Sequence, residues 1–505
     1  VALVVEGPYA NVEAFVSALT TESPPLAVIN QVSVEETAPI GYAEFQIVES
    51  TSDGHREVLV TPDSTICEDC QGVLLDPTDR RYQYPFINCT NCGPRFTIIQ
   101  GLPYDRVRTT MSAFPMCTVG HGEYIEPGNR RFHAEPVCCA HCGPQLRLLT
   151  AHRDEMGGEP ISAAVHALNR GAILAIKGLG GYHLAARADD RDAVTTLRKR
   201  KHREETPFAV MVPSIERARE LCQIDASSEK LLASVRRPIV LLESNREQPI
   251  AEEVAPGTTQ LGLMLPYTPL HHELLRVLEE PIVLTSGNMS NEPIACTDDD
   301  ALHRLAGIAD LFLTHDRPIQ ARADDSVTRI FDAQPMLLRR SRGYVPEPFT
   351  LERPLSHDLL ACGAEQKNTF SLASGRHVFV SEHIGDLESY ETLEAFNRSI
   401  THHRKLFDIS PVTVAYDLHP EYLSTKYALA LDGVEHIGIQ HHHAHIASCL
   451  LDNAQSGPVL GVAFDGSGFG DDGTLWGGEF LLADLTGYRR LAHLEAASLP
   501  AGTTS

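Results

Sequence analysis

No stretch of this 505-residue sequence approaches the roughly 18 consecutive apolar residues that a membrane-spanning helix needs. The longest run, Ala172 to Ile176, is strand-sized and ends at Lys177. A positive balance is missing too: 42 Lys and Arg face 67 Asp and Glu, for a net charge of −25. That argues against a protein that wraps nucleic acid, because phosphate contacts need clustered cations. No secretory leader pattern opens the chain at Val1. The twelve cysteines therefore read as those of a reducing cytoplasm, where Cys-x-x-Cys spacing points to metal rather than disulfides. No methionine opens the chain either, and we expect it to be a piece of a longer protein. What is present is ordinary: 43% apolar and 22% charged residues, in a length that holds three or four domains.

Seven cysteines fall in one pattern written twice between residues 60 and 150. The first copy reads Cys67-x-x-Cys70, then Pro77, Arg80-Arg81-Tyr82, Cys89-x-x-Cys92 and Gly93-Pro94. The second returns as Cys117, Pro127, Arg130-Arg131-Phe132, Cys139-x-x-Cys142 and Gly143-Pro144, with Gly120 where a cysteine is expected. A repeat of this period is a duplicated supersecondary unit. Two Cys-x-x-Cys knuckles complete a zinc tetrahedron, so Cys67, Cys70, Cys89 and Cys92 predict a structural zinc site. Cys117, Cys139 and Cys142 need a fourth ligand from a neighbour, His121 or Cys138, or the site is weakened.

Ahead of the repeat, residues 1–52 carry a short α/β pattern. Val1 to Glu6 alternates as a strand does, and a helix from Asn11 places Val12, Phe15, Val16 and Leu19 at helical spacing. Val28 to Val34 and Tyr42 to Val48 read as further strands. The segment resembles the second half of an acylphosphatase, a ferredoxin-like fold, with a plain α/β fragment as the alternative. The family's catalytic arginine would precede Val1, so no active-site residue is carried over.

From 158 to 345 strands and helices alternate. Ser162 to Asn169 is an amphipathic helix, Ala172 to Ile176 a buried strand, and Lys177-Gly-Leu-Gly-Gly181 a turn whose amides can approach an anion. The strand Ile282 to Leu284 leads into Thr285-Ser286-Gly-Asn288. Taken alone, the basic run Arg198 to Arg203 is a solvated helix face. Together with Ser286-x-Asn288 and Arg322-x-Asp324, its Lys201-x-Arg203 pair resembles the YrdC-like carbamoyl-adenylate-forming domain. The resemblance implies Lys201, Arg203, Ser286 and Asn288 as catalytic, and Lys177, Thr285, Arg322 and Asp324 as nucleotide or phosphate contacts. Two fixed cations would cradle phosphate and carbonate-like oxygens while hydroxyl and amide groups orient them. Thr206 stands where that family usually has a lysine, a departure that would weaken nucleotide binding.

Pro346 to Pro354 reads as a linker. Residues 356–505 form a third α/β unit whose opening, Leu359 to Ala373, reads as two strands around a turn containing Lys367 and Asn368. Asp465-Gly466-Ser-Gly468 follows the strand Val459 to Phe464. These strand-turn pairs resemble the phosphate loops of the actin and sugar-kinase fold, which implies phosphate or nucleotide contacts at Lys367, Asn368, Asp465, Gly466 and Gly468, with Asp465 able to hold a metal or a nucleotide hydroxyl. Between them, Gln440-His441-His442-His443-Ala444-His445 puts His441 and His445 one helical turn apart, the spacing two imidazoles need to share a metal. A polar helix end is the alternative.

The order of units resembles the HypF family of hydrogenase maturation carbamoyltransferases, above all through Tyr84-Pro-Phe-x-Asn-Cys-x-x-Cys-Gly-Pro-Arg95. It implies a multidomain α/β and α+β chain: half an acylphosphatase, a zinc-finger repeat, a YrdC-like domain and part of an actin-like transfer domain. It further implies one or two structural zincs, ATP with Mg, carbamoyl phosphate as substrate, and transfer to the C-terminal cysteine of a HypE-type partner, without nucleic acid or membrane. Truncation at both ends would leave the chain short of the full reaction. The alternatives are a threonylcarbamoyl-transfer enzyme acting on tRNA, and a catalytically incomplete scaffold.

Overall fold

The computed structural model describes residues 3–23, 26–27, 29, 32–42, 59–245, 249–289 and 292–495. Near the N-terminus the helix Tyr9–Thr21 forms as its periodicity predicts, but it buries none of its residues. The strand expected over Val1 to Glu6 is absent at residues 3–6, and 32–42 carries none either. A strand needs a ladder partner for its backbone groups. Here the amide of Gly41 instead donates to the Glu6 carboxylate at 2.9 Å. Most of the expected strand Tyr42 to Val48 lies outside the described residues.

The two Cys copies fold alike. Each opens on a helix, Glu68–Leu75 or Thr118–Ile125, whose N-cap is the first cysteine, Cys67 or Cys117. Each later turns through a left-handed residue, Gln83 or His133. The Arg-Arg pairs of the pattern cross between copies. Arg80 and Arg81 of the first reach Glu123 of the second, Arg81 at 2.9 Å, while Arg130 of the second donates to Cys70 Sγ of the first at 2.9 Å. Desolvation raises the Glu123 carboxyl, but Arg81, Arg80 and Arg131 overcome it and hold the group at about 2.

Among the described residues the strands make sheets of ten, six and three. Four central strands of the ten-stranded sheet position the candidate site: Leu174–Lys177, Tyr182–Arg187, Ile282–Ser286 and Ala209–Met211, neighbours in that order. Both faces of the sheet are covered. Leu174 and Ile176 join the core beneath helices Pro160–Leu168 and Pro269–Leu278, whereas Ala175 faces the core under Arg191–Lys201. Burial on two sides is why the Ala172 to Ile176 stretch is continuously apolar. The sheet also reaches back to Leu146–Thr150, inside the stretch read as the Cys repeat, through antiparallel pairing with Leu311–His315. The expected linker contributes Phe349–Thr350 to the edge of the six-stranded sheet.

The finger segment holds the three units together. Thr65 and Ile66 donate backbone bonds to Val235 and Tyr267 of the sheet unit. One buried cluster then joins Phe96, Ile99 and Leu102 of the fingers with Ala321 and Val345 of the sheet unit and Leu406 of the third. Because Glu123 links the copies through a carboxylate held low, Glu123→Gln should cost the finger segment about 1–3 kcal/mol of local opening free energy. Its carboxylate contribution is complete above the ordinary carboxylate range and lost only as pH falls through about 2, so the deficit should be equal at pH 6 and pH 8. Amide hydrogen exchange across residues 118–133 measures it; a deficit that changes over that range contradicts the assignment.

Candidate functional site

The helix Arg191–Lys201 starts on an Asp190 cap and ends where His202 adopts φ 51°. That left-handed turn brings Lys201 and Arg203 back toward the end of Ile282–Ser286. Four basic residues occupy the last helical turn, where the helix dipole favours cations. Lys201, only 2% exposed, donates from Nζ to Ser286 O at 2.7 Å and to Asn288 O and Oδ1 at 2.6 Å. Arg203 donates to Thr285 Oγ1 at 3.2 Å and Pro207 O at 2.8 Å. Ser286 Oγ donates to Asn288 Oδ1 at 2.8 Å. The sequence pair and the sequence loop are thus one constellation. Gly287 makes it possible, since a Cβ there would lie 2.5 Å from Tyr182 O.

Burial, and then the neighbouring Arg203 guanidinium, pull the Lys201 ammonium down to about 7, against the Asp324 and Glu292 carboxylates. Burial, with Arg339 and Arg198 next, brings Arg203 to about 10. Asn288 opens onto a cavity of about 360 Å³ between the sheet unit and the third unit. Glu292, Arg322 and Asp324 line one side, and Glu382, His383 and His402 the other. Lys177 is elsewhere: its Nζ is buried against Asp298 at 2.5 Å and His315 O at 2.8 Å, an ion pair inside the sheet unit. That partner lies 121 positions away in the chain and no local pattern points to it.

In the third unit the helix His441–Asp452 is capped by Gln440, which accepts from His443 N at 2.9 Å. His442 and His443 lie at hydrogen-bonding distance from Gly477 O and Asp484 O, at 3.1 and 2.8 Å. His441 and His445 remain on the other face with Asp465, Nε2 to Oδ2 at 2.8 and 3.7 Å. Asp465 therefore joins the histidines as a candidate metal ligand. Two imidazoles and a carboxylate leave open positions and suit zinc, iron or manganese. Asp417, missed from the sequence, stands behind His441 at 2.6 Å from Nδ1, where it fixes the ring and raises its basicity. Gly468 packs against this helix, for a Cβ there would meet the His442 ring at 2.5 Å, while Gly466 faces open space. Asn368 is buried and pins its own turn by donating to Cys362 O at 3.0 Å, and Lys367 is exposed beside it.

The cysteines assemble as their spacing predicts. Cys67, Cys70, Cys89 and Cys92 cluster, with Sγ–Sγ separations of 3.6 Å for Cys67–Cys89 and 3.8 Å for Cys89–Cys92. A zinc tetrahedron with bonds of about 2.3 Å has edges of about 3.8 Å, so the set fits zinc. Cys117, Cys139 and Cys142 form a second cluster of three; His121 is exposed and outside it. Among the described residues, no helix is long and apolar enough to cross a membrane.

If His441, His445 and Asp465 hold a metal with Asp417 behind them, His445→Ala should abolish binding of Mn²⁺ to protein that carries zinc at its fingers alone. Asp417→Asn should weaken it about 10- to 100-fold. Electron paramagnetic resonance titration measures both, and unchanged Mn²⁺ affinity in His445→Ala removes the ligand assignment.

Comparisons with known proteins agree with this architecture. The HypF finger model matches residues 66–99 and 116–149, and the HypF Kae1-like domain model residues 354–452. The second subdomain of the carbamoyltransferase Kae1-like domain matches 461–505, and a model described as telomere recombination matches 166–341. Carbamoyltransferase HypF of Synechocystis is 46% identical across 95% of this chain and 63% of its own length. Its counterpart in Rhizobium leguminosarum is 44% identical across 99% of this chain and 64% of its own. A crystal structure of full-length HypF in the phosphate- and nucleotide-bound form superposes with a TM-score of 0.93 at 46% identity, covering 97% of this chain and 64% of that one. The chain thus spans somewhat less than two thirds of these relatives. On its fingers, its central sheet unit and its Kae1-like unit, it belongs to the HypF family.

Proposed function

We propose that the chain carries the activating and transferring parts of an ATP-dependent carbamoyltransferase. The observation that carries this reading is the Lys201–Arg203 pair, packed against Thr285, Ser286 and Asn288 at an interdomain cavity. Two cations held by carbonyl, hydroxyl and amide oxygens suit a triphosphate, whose oxygens would replace or share those acceptors. Family resemblance supplies the remaining chemistry. Carbamoyl phosphate is hydrolysed to carbamate, a carbamate oxygen attacks the α-phosphorus of ATP, and pyrophosphate leaves to give carbamoyl-adenylate. A cysteine thiolate at the C-terminus of a HypE-type protein then attacks the carbamoyl carbon and releases AMP.

Within this reaction, Lys201 and Arg203 bind and neutralise phosphate oxygens, while Ser286 and Asn288 orient them. Arg322 and Asp324 reach the cavity rather than the sheet core, so they are placed to contact what passes between the units. The cavity gives carbamate and its adenylate, both unstable in water, a walled route from one unit to the next. His441, His445 and Asp465 would hold a metal ion, which when bound supplies a Lewis acid for the transfer step. Lys177, tied to Asp298, has a structural part. Asn368 shapes the turn that carries Lys367.

ATP binding by isothermal titration tests the assignment. Losing one charge-assisted contact costs about 1.5–3 kcal/mol, so Lys201→Ala and Arg203→Ala should each weaken ATP about 10- to 150-fold. Wild-type affinity in Lys201→Ala would overturn the site. A dependence of AMP and pyrophosphate formation on threonine and tRNA, rather than on carbamoyl phosphate, would favour threonylcarbamoyl transfer instead.

A further inference from the structure

The two fingers are not equivalent as metal sites. In the second, Cys117–Cys139 and Cys139–Cys142 Sγ separations are 3.9 and 3.7 Å, the edges of the same tetrahedron that the first finger completes. Its fourth corner falls at Gly120, the counterpart of Cys70. A Cβ added at Gly120 would lie 3.4 Å from Cys117 Sγ and 3.9 Å from Arg80 Nη2. A side chain there would therefore point at the cluster with ordinary contacts, and only its absence opens the corner.

The protein groups around that corner are engaged elsewhere or turned away. Cys138 is buried against the aromatic cluster, with Sγ 3.6 Å from both the Tyr84 hydroxyl and Phe86 O. Glu123, on the same helix, is held by Arg80, Arg81 and Arg131. His121, also on that helix, is exposed, as is His141 between the last two cysteines. Arg80 donates to Cys117 Sγ at 3.6 Å and sets a cation beside the three thiolates. Arg130 does the same for Cys70 in the first finger. The surroundings also differ in exposure: Cys70, Cys89 and Cys92 are buried, whereas Cys117 and Cys142 are only half-buried.

We infer that the second finger binds zinc through Cys117, Cys139 and Cys142 and one exchangeable solvent oxygen, while the first holds zinc with four thiolates. Gly120 itself is buried, so that oxygen would exchange past the half-buried Cys117 and Cys142, and the second zinc would leave first when zinc is scarce. Its departure would loosen the helix Thr118–Ile125 and the Glu123 contacts that join the copies.

The test uses the whole chain with a His445→Ala background, so that only the fingers report, in buffer free of thiols. Zinc transfer to a chromogenic chelator should occur in two phases of equal amplitude, one at least ~10-fold faster, since even outer-shell partners are worth ~10- to 100-fold in affinity. Gly120→Cys should convert the fast phase to the slow one. His121→Ala should leave the cobalt-substituted spectrum unchanged, with signatures of one four-thiolate and one three-thiolate centre. Three results would overturn the inference: a single zinc per chain, two four-thiolate centres in the parent, or a cobalt spectrum altered by His121→Ala.

Discussion

Burying a lysine beside a half-buried arginine at the end of one helix is the constraint on which the central unit depends. Lys201 and Arg203 can leave water only because oxygens meet them: the carbonyls of Ser286 and Asn288, the amide of Asn288 and the hydroxyl of Thr285. Holding those oxygens requires the left-handed turn at His202 and the side-chain-free crossing at Gly287. Even so, desolvation pulls Lys201 to about 7, so the apo site is poised between a charged and a neutral amine. A polyanion would settle that balance, and the fold keeps the balance in place until one arrives.

The fingers keep this unit in register with the next. The chemistry of a closed zinc site is structural, and its place here shows why: Phe96, Ile99 and Leu102 sit where the sheet unit and the third unit meet. The cavity that Asn288 opens onto is bounded by those same two units. A shift of the fingers would therefore alter the geometry of that cavity, though no finger residue lines it. Duplication supplies the rigidity, with the Arg-Arg pairs exchanged between copies.

Much of this was legible because the chemistry is local. Cys-x-x-Cys knuckles fix thiolates within a few residues, and His441 and His445 share a face through helical spacing alone. Lys201 and Arg203 were recognisable only with Ser286 and Asn288, and Lys201 and Ser286 are 85 positions apart in the chain. Long-range pairing is also where expectation and structure parted. Nothing near Lys177 announces Asp298, nothing near His441 announces Asp417, and Asp465, readable as a metal or nucleotide contact, is joined to the histidines only by the fold. The alternation at Val1 to Glu6 is a pattern without a ladder at residues 3–6, because strand formation depends on a partner as much as on the sequence itself.

The central claim, that a desolvated cation pair waits for a polyanion, makes a proton-balance statement. Burial draws the Lys201 amine down to about 7, and a bound triphosphate would favour its ammonium form, so ATP binding at about pH 8 should take up protons. Calorimetric titration of Mg-ATP in buffers of different ionisation enthalpy measures that number directly. Net proton uptake, lost in Lys201→Ala, is the predicted result. Binding with no net proton uptake would contradict the account.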